Sequence, residues 1–158
     1  MTEGEALAAL QGADPARAAQ AEAALWDMWC RADDPEINTL MQEGMAALGE
    51  RRLPDAESLF TRIVERAPDF AEGWNKRATV RYVAEDFAGS IADCEATLAR
   101  NPSHFGALSG QGLCHLARGE ARMAATLFRR ALAVHPHLAA VRQNLRVALA
   151  RAVEGNGH

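Results

Sequence analysis

The chain has 158 residues and a mass of 17.0 kDa; 49 % of residues are hydrophobic, 24 % are charged, and the formal net charge is −4. That composition excludes wholesale disorder and fits one domain able to bury a core. An acidic chain lacks the basic face that phosphate contacts need, so no nucleic-acid partner is expected, and with no apolar run of 18 residues no membrane insertion is expected either. Aromatic residues reach only 6 %, β-branched residues are sparse and alanine abounds, which favours helices over a β-sandwich or barrel.

At the N-terminus Glu3 and Glu5 precede the first basic residue, Arg17, so the positive start of a secretory signal is missing. Cys30, Cys94 and Cys114 are three, and none forms a Cys-x-x-Cys, which points away from a disulfide framework or zinc site and toward a reducing compartment. The expected location is the cytoplasm, with the periplasm the alternative where an export signal has been removed. Glu3–Gln11 is expected to form a short helix. Asp14-Pro15 reads as an N-cap followed by a first-turn proline, opening a helix to about Ala32 that stops near Asp33-Asp34-Pro35. Trp26, Met28 and Trp29 cluster on it, either as an apolar face packed on the segment that follows Pro35 or as an exposed surface for self-association.

Beyond this point the prolines act as a ruler: Pro68, Pro102 and Pro136 recur every 34 residues. They phase three blocks, Ile37–Phe70, Ala71–His104 and Phe105–Leu138. The eighth position holds Gly44, Ala78 and Gly112, the twentieth Ala56, Ser90 and Ala124, so two antiparallel helices per block approach closely there. Leu40, Trp74 and Leu108 at the fourth position, and Phe60, Cys94 and Phe128 at the twenty-fourth, fill the space beside the contact. Turns are expected at Gly49-Glu50-Arg51, Glu85-Asp86 and Arg118-Gly119-Glu120, and each proline near a block's end stops the second helix. Carried upstream, the phase puts Trp26 at the twenty-fourth position but Glu22 at the twentieth; a one-residue slip to Ala21 and Leu25 restores the pattern, so a degenerate fourth copy is left open. After Pro136, Leu138–Val153 stays in helical phase, with Val141, Leu145, Ala148, Leu149 and Ala152 on one face as a cap for the exposed apolar side of the last block, and Glu154–His158 as a frayed tail.

This period, with its small eighth position, apolar fourth and proline at thirty-two, resembles the tetratricopeptide repeat, and Trp74-Asn75-Lys76-Arg77-Ala78 and Ala131-Leu132-Ala133-Val134-His135-Pro136 resemble its first-helix start and second-helix end. The eleventh position, usually aromatic in the family, holds Ala47, Arg81 and His115. The resemblance implies an all-α fold: a right-handed α-solenoid of three helix hairpins (37–70, 71–104, 105–138), an N-terminal helix pair (1–36) and a C-terminal capping helix and tail (139–158). Phe70–Thr79 and His104–Gly110 look like a group of short bacterial members, and the resemblance implies no reaction.

Catalytic patterns are absent: no Gly-x-Ser-x-Gly, His-Glu-x-x-His or Walker loop occurs, and Ser109-Gly110-Gln111-Gly112 follows a helix stop instead of a strand. Gly106, Gly110 and Gly112 in one helix are costly, which a close backbone approach or a partner lying against that helix would offset. His135 and His137 lack a third metal ligand nearby, and Cys94 and Cys114 sit at inward positions as small hydrophobes. No catalytic centre, metal or cofactor is expected.

The resemblance also implies where a partner docks. Block positions two, five, nine, twelve and thirteen point into the concave face, here Asn38, Met41, Met45 and Leu48 in the first block, Glu72, Asn75, Thr79, Tyr82 and Val83 in the second, and Gly106, Ser109, Leu113, Leu116 and Ala117 in the third. These would hold a peptide or helix of another protein; the alternative is a homo-oligomeric scaffold joined through its terminal helices, such as the Trp26/Trp29 end. Chaperone-binding members clamp a terminal carboxylate with lysine, asparagine and arginine at places that hold Met41, Met45, Lys76, Ser109 and Leu113 here, so the clamp is missing. Lys76, Arg77 and Arg81 form a positive stripe, read either as a solvated helix face or as a guide for an acidic peptide.

Overall fold

A computed structural model describes residues 1–155, and among these all regular structure is helical. The helices are α1 (Glu3–Leu10), α2 (Pro15–Cys30), α3 (Pro35–Gly49), α4 (Leu53–Arg66), α5 (Ala71–Val83), α6 (Phe87–Arg100), α7 (Phe105–Ala117), α8 (Ala121–Val134) and α9 (Ala139–Glu154). The tail expected to fray lies mostly outside the described residues. Asp14 and Asp34 each accept a hydrogen bond from the amide two residues on, with Pro15 and Pro35 in the first helical turn, so both N-termini are closed by the pattern the sequence displays.

Helices pair in succession as α3 with α4, α5 with α6 and α7 with α8, and each hairpin stacks on the next to make a solenoid. α5 also touches α7, and α7 touches α9, so the first helices line the inner face. The three hairpin turns are built alike. Arg51, Glu85 and Gly119, each fifteenth in its block, take left-handed φ values of 58°, 63° and 79°. The next residue's amide reaches back five residues in every copy: Arg52 to Ala47, Asp86 to Arg81 and Glu120 to His115.

Inside the hairpins, the small eighth position meets the twenty-fourth. A Cβ on Gly44 would lie 2.5 Å from the Phe60 ring, and one on Gly112 would lie 2.6 Å from the Phe128 ring. In the middle hairpin Ala78 and Cys94 line one cleft, and the Ser90 hydroxyl donates to the Ala78 carbonyl at 2.7 Å. α9 packs on the last hairpin, with Val141 and Ala148 buried against the Phe128 cluster, whereas Leu149, expected on the same face, turns to solvent.

The glycines of α7 should therefore respond in opposite directions. Gly110→Ala meets only Cys94 Sγ at 3.8 Å, so relief of backbone entropy should raise stability by about 0.5–1 kcal/mol. Gly112→Ala drives a methyl into the Phe128 ring and should lower it by about 1–3 kcal/mol. Chemical denaturation of both variants checks this; shifts of the same sign would contradict it.

Candidate partner-binding face

The N-terminal pair does not stack on the first hairpin. α1 and α2 pack on each other, and α2 runs along the inner face to the third hairpin. Trp26 and Trp29, expected either on the first block or in solvent, instead surround Phe105 and His104 at the start of α7: the ring centroids of Trp26 and Phe105 are 5.6 Å apart, and Trp29 stacks on His104 at 4.7 Å. Gly106 makes this fit possible, since a Cβ there would lie 2.7 Å from the Trp26 ring. The ring that offsets this glycine's cost belongs to the chain itself. Lys76 Nζ sits 5.3 Å from the Trp26 ring on the α5 side.

Polar contacts fasten the edges of this seam. The Gln11 amide donates to the carbonyls of Ala133 and Val134, at 2.9 and 2.7 Å, and His137 Nε2 donates to the Gly12 carbonyl at 2.6 Å. His135 Nε2 donates to Glu22 at 3.0 Å. Two buried side-chain nitrogens along the same seam, Trp29 Nε1 and His135 Nδ1, have no hydrogen-bond partner among the described residues.

Under α2 lies a buried polar centre. His104 caps α7: its Nδ1 accepts from the Ala107 amide at 3.0 Å, which fixes the proton on Nε2, and that N–H donates to Glu72 at 2.7 Å. Glu72 and His104 are both fully buried. Asn75 donates to Glu72 at 2.8 Å, and Lys76 Nζ lies 3.3 Å from it. Burial opposes the Glu72 charge, but the His104 hydrogen bond with Lys76 and Asn75 holds the carboxyl below its ordinary 4.5. For His135, burial outweighs the Glu22 carboxylate and lowers the imidazole from its ordinary 6.5.

Both shifts have the same consequence. Each group titrates lower folded than unfolded, so its contribution is complete above the unfolded value and fades as pH falls. Stability should decline on acidification from pH 6.5 as His135 is forced to charge, and again below 4.5 as Glu72 is protonated. Urea midpoints across pH 4–8 read this, and His135→Gln should flatten the upper part of the decline; a midpoint unchanged by acid would contradict it.

The residues read from sequence as a docking floor are divided by this arrangement. Glu72 and Asn75 belong to the buried centre, Met41 is buried in the first hairpin's core, and Asn38 clasps the backbone of Ala32 through both its amide atoms, at 2.9 and 2.8 Å. Met45 and Thr79 are exposed, while Tyr82, Ser109 and Leu113 are half-buried. Asn75, Thr79, Tyr82 and Leu113 come together around a cleft of about 120 Å³, whose floor is Ala78, Ser90 and Cys94 and whose far wall is Gly106 and Gly110. The Cys94 thiol is pushed up to about 12 by burial, with Cys114 and Asp93 adding to the shift, so it behaves as an inert apolar group.

The expected positive stripe is not free to steer a ligand. Arg77 grips Asp93 with two hydrogen bonds of 2.9 Å, and Arg81 bridges Asp93 at 3.1 Å and Glu57 at 2.8 Å. Sequence reasoning missed this network and the Glu72–His104 pair, because the partners lie on other helices. The signal that was present is Gly106, a glycine whose cost demanded something against it.

A family model for the tetratricopeptide repeat matches residues 41–96 and 75–139. A TPR repeat-containing protein of Rhizobium etli is 34 % identical over 108 residues, which is 68 % of this chain and 53 % of the relative, so the chain spans about half of that protein's length. The first TPR domain of Spaghetti (RPAP3), solved with an HSP90 peptide, superposes with a TM-score of 0.74 at 20 % identity, covering 77 % of this chain and 97 % of that one. The Sgt2 TPR domain of Aspergillus fumigatus gives 0.75 at 21 %, covering 79 % and 84 %. Three hairpins in one phase, alike in their turns and matched by the family model over residues 41–139, establish that this chain belongs to the tetratricopeptide repeat family.

Proposed function

We propose that the chain is a non-catalytic interaction module whose inner face holds a peptide or helix of another protein. The observation that carries this reading is α2 itself: a helix of this chain already lies on that face, with Trp26 seated over Gly106. The uncovered stretch beyond it, with Met45, Thr79, Tyr82, Ser109 and Leu113, is the remaining docking floor. Met45 is 43 % exposed and flexible enough to mould to an apolar segment.

The structural neighbour Spaghetti (RPAP3) binds an HSP90 peptide. An acidic tail of that kind suits this chain poorly, since Lys76 is engaged by Glu72 and Trp26, and Met41, Met45, Ser109 and Leu113 carry no charge. The partner segment is therefore apolar in its central contacts. Self-association is the second reading, favoured by Leu149 and Val153, exposed on α9 at 37 % and 82 %; a mass by light scattering that stays monomeric across concentration would remove it.

A photoreactive p-benzoylphenylalanine at Tyr82, and separately at Arg129 on the exposed side of α8, tests the docking face. Expression in the native host should yield a covalent adduct with one protein from position 82 and none from 129. Adducts from 129 alone would overturn the assignment.

A further inference from the structure

The three hairpins differ at one place that matters for recognition. Where the outer two carry Phe60 and Phe128 against a glycine, the middle one carries Cys94 against Ala78. The exchange replaces a phenyl ring by a thiol and adds one methyl, and the cleft of about 120 Å³ opens at that point, over Ala78, Ser90 and Cys94. It reaches the inner face between Thr79 and Tyr82 on α5 and Gly110 and Leu113 on α7.

We propose that this cleft receives one aliphatic side chain, of the size of leucine or methionine, from the segment docked on the inner face, supplying in trans the packing that phenylalanine supplies in the sister hairpins. This rests on the proposed function. The chemistry of the walls selects the occupant. The Ser90 hydroxyl is spent on the Ala78 carbonyl, the Thr79 hydroxyl on the Asn75 carbonyl at 3.2 Å, and one of the two Asn75 amide N–H groups on Glu72. With these donors already committed inward, a polar side chain entering here would lose its water without gaining them as partners. The volume is close to that of a cavity of about 150 Å³ that stays dry and binds benzene, so an apolar group of four carbons fits. Trp26 covers Gly106 at one end of the far wall, while Gly110 beside it carries no side chain and leaves that part of the cleft open to a ligand's backbone.

Two variants fill the cleft by different routes. Ala78→Gly with Cys94→Phe copies the sister hairpins, and Gly110→Leu grows a side chain toward Cys94 from a position whose Cβ has ordinary clearance. Benzene is added to the full chain and followed by amide NMR. Saturable shifts at Gly106, Gly110 and Leu113, absent in both filled variants, are expected; no shift in the unaltered chain would overturn the proposal. Peptides selected from a random display library on the same chain should share one aliphatic position and lose at least ten-fold in affinity for both variants. Selected peptides that bind the filled variants equally well, yet weaken on Met45→Glu, overturn the cleft and leave the inner-face reading standing. Peptides indifferent to the filled cleft and to Met45→Glu overturn both, as does a library that yields no binder.

Discussion

Asp93→Ala should destabilise the chain by about 3–5 kcal/mol, the range for removing one member of a buried ion pair. The Asp93 side chain is 2 % exposed and is shared by two guanidinium groups: Arg77 with two bonds of 2.9 Å and Arg81 with one of 3.1 Å. Without it, Arg77 keeps a 3.4 Å contact to the Thr61 hydroxyl and its place over the Trp74 ring, and its guanidinium stays largely out of water with its charge uncompensated. Arg81 still holds Glu57 at 2.8 Å, so the loss centres on Arg77. The sister hairpins carry Leu59 and Leu127 at the place of Asp93. Arg77→Met with Asp93→Leu should then recover most of the stability, because the pair's value lies in not being broken more than in being present. Equilibrium unfolding of the two single variants and the double one checks the coupling; additive losses would show that the network is not a unit.

Cys94→Phe should cost about 2 kcal/mol, within the range for overpacking a core, and Ala78→Gly should restore most of it. The expectation comes from the first hairpin, where a Cβ on Gly44 would lie 2.5 Å from the Phe60 ring. A phenylalanine at position 94 meets such a Cβ on Ala78. The rescue is informative in sign, since Ala78→Gly alone should destabilise, by about 1 kcal/mol of helix propensity and by enlarging a void. Two substitutions that each weaken the chain but together leave it near its starting stability would establish the exchange at these two positions as one packing unit. Melting temperatures of the three variants suffice, and a double variant worse than either single one would contradict the account.

How far the fold can be read from residues depends on the range of the contact. The hairpins were legible because their determinants recur at fixed spacing: prolines 34 apart, and small residues opposite large ones at positions eight, twenty and twenty-four. The turns were legible because Gly119 stands openly in one copy, and the phase places Arg51 and Glu85 in the same conformation. The course of α2 was not legible. Periodicity states which face of a helix is apolar, but the direction in which Arg31–Asp34 launches the chain depends on contacts more than 70 residues away, such as Trp26 on Gly106. The docking floor suffered for the same reason. Glu72 and Asn75 sit at inward positions, yet α2 and His104 turn them into a buried centre. Arg77 and Arg81 looked like a surface stripe because Asp93, their common partner, lies on the next helix and has no counterpart in the other copies.

Hydrogen exchange of the full chain, alone and saturated with a peptide selected on it, tests the central claim most directly, because it reads every backbone amide without presuming a site. The account predicts new protection along α5 and α7, concentrated from Thr79 to Val83 and from Ser109 to Leu113, with the exposed sides of α4, α6 and α8 unchanged. Protection confined to those outer helices, or to α9, would place the partner elsewhere and contradict it.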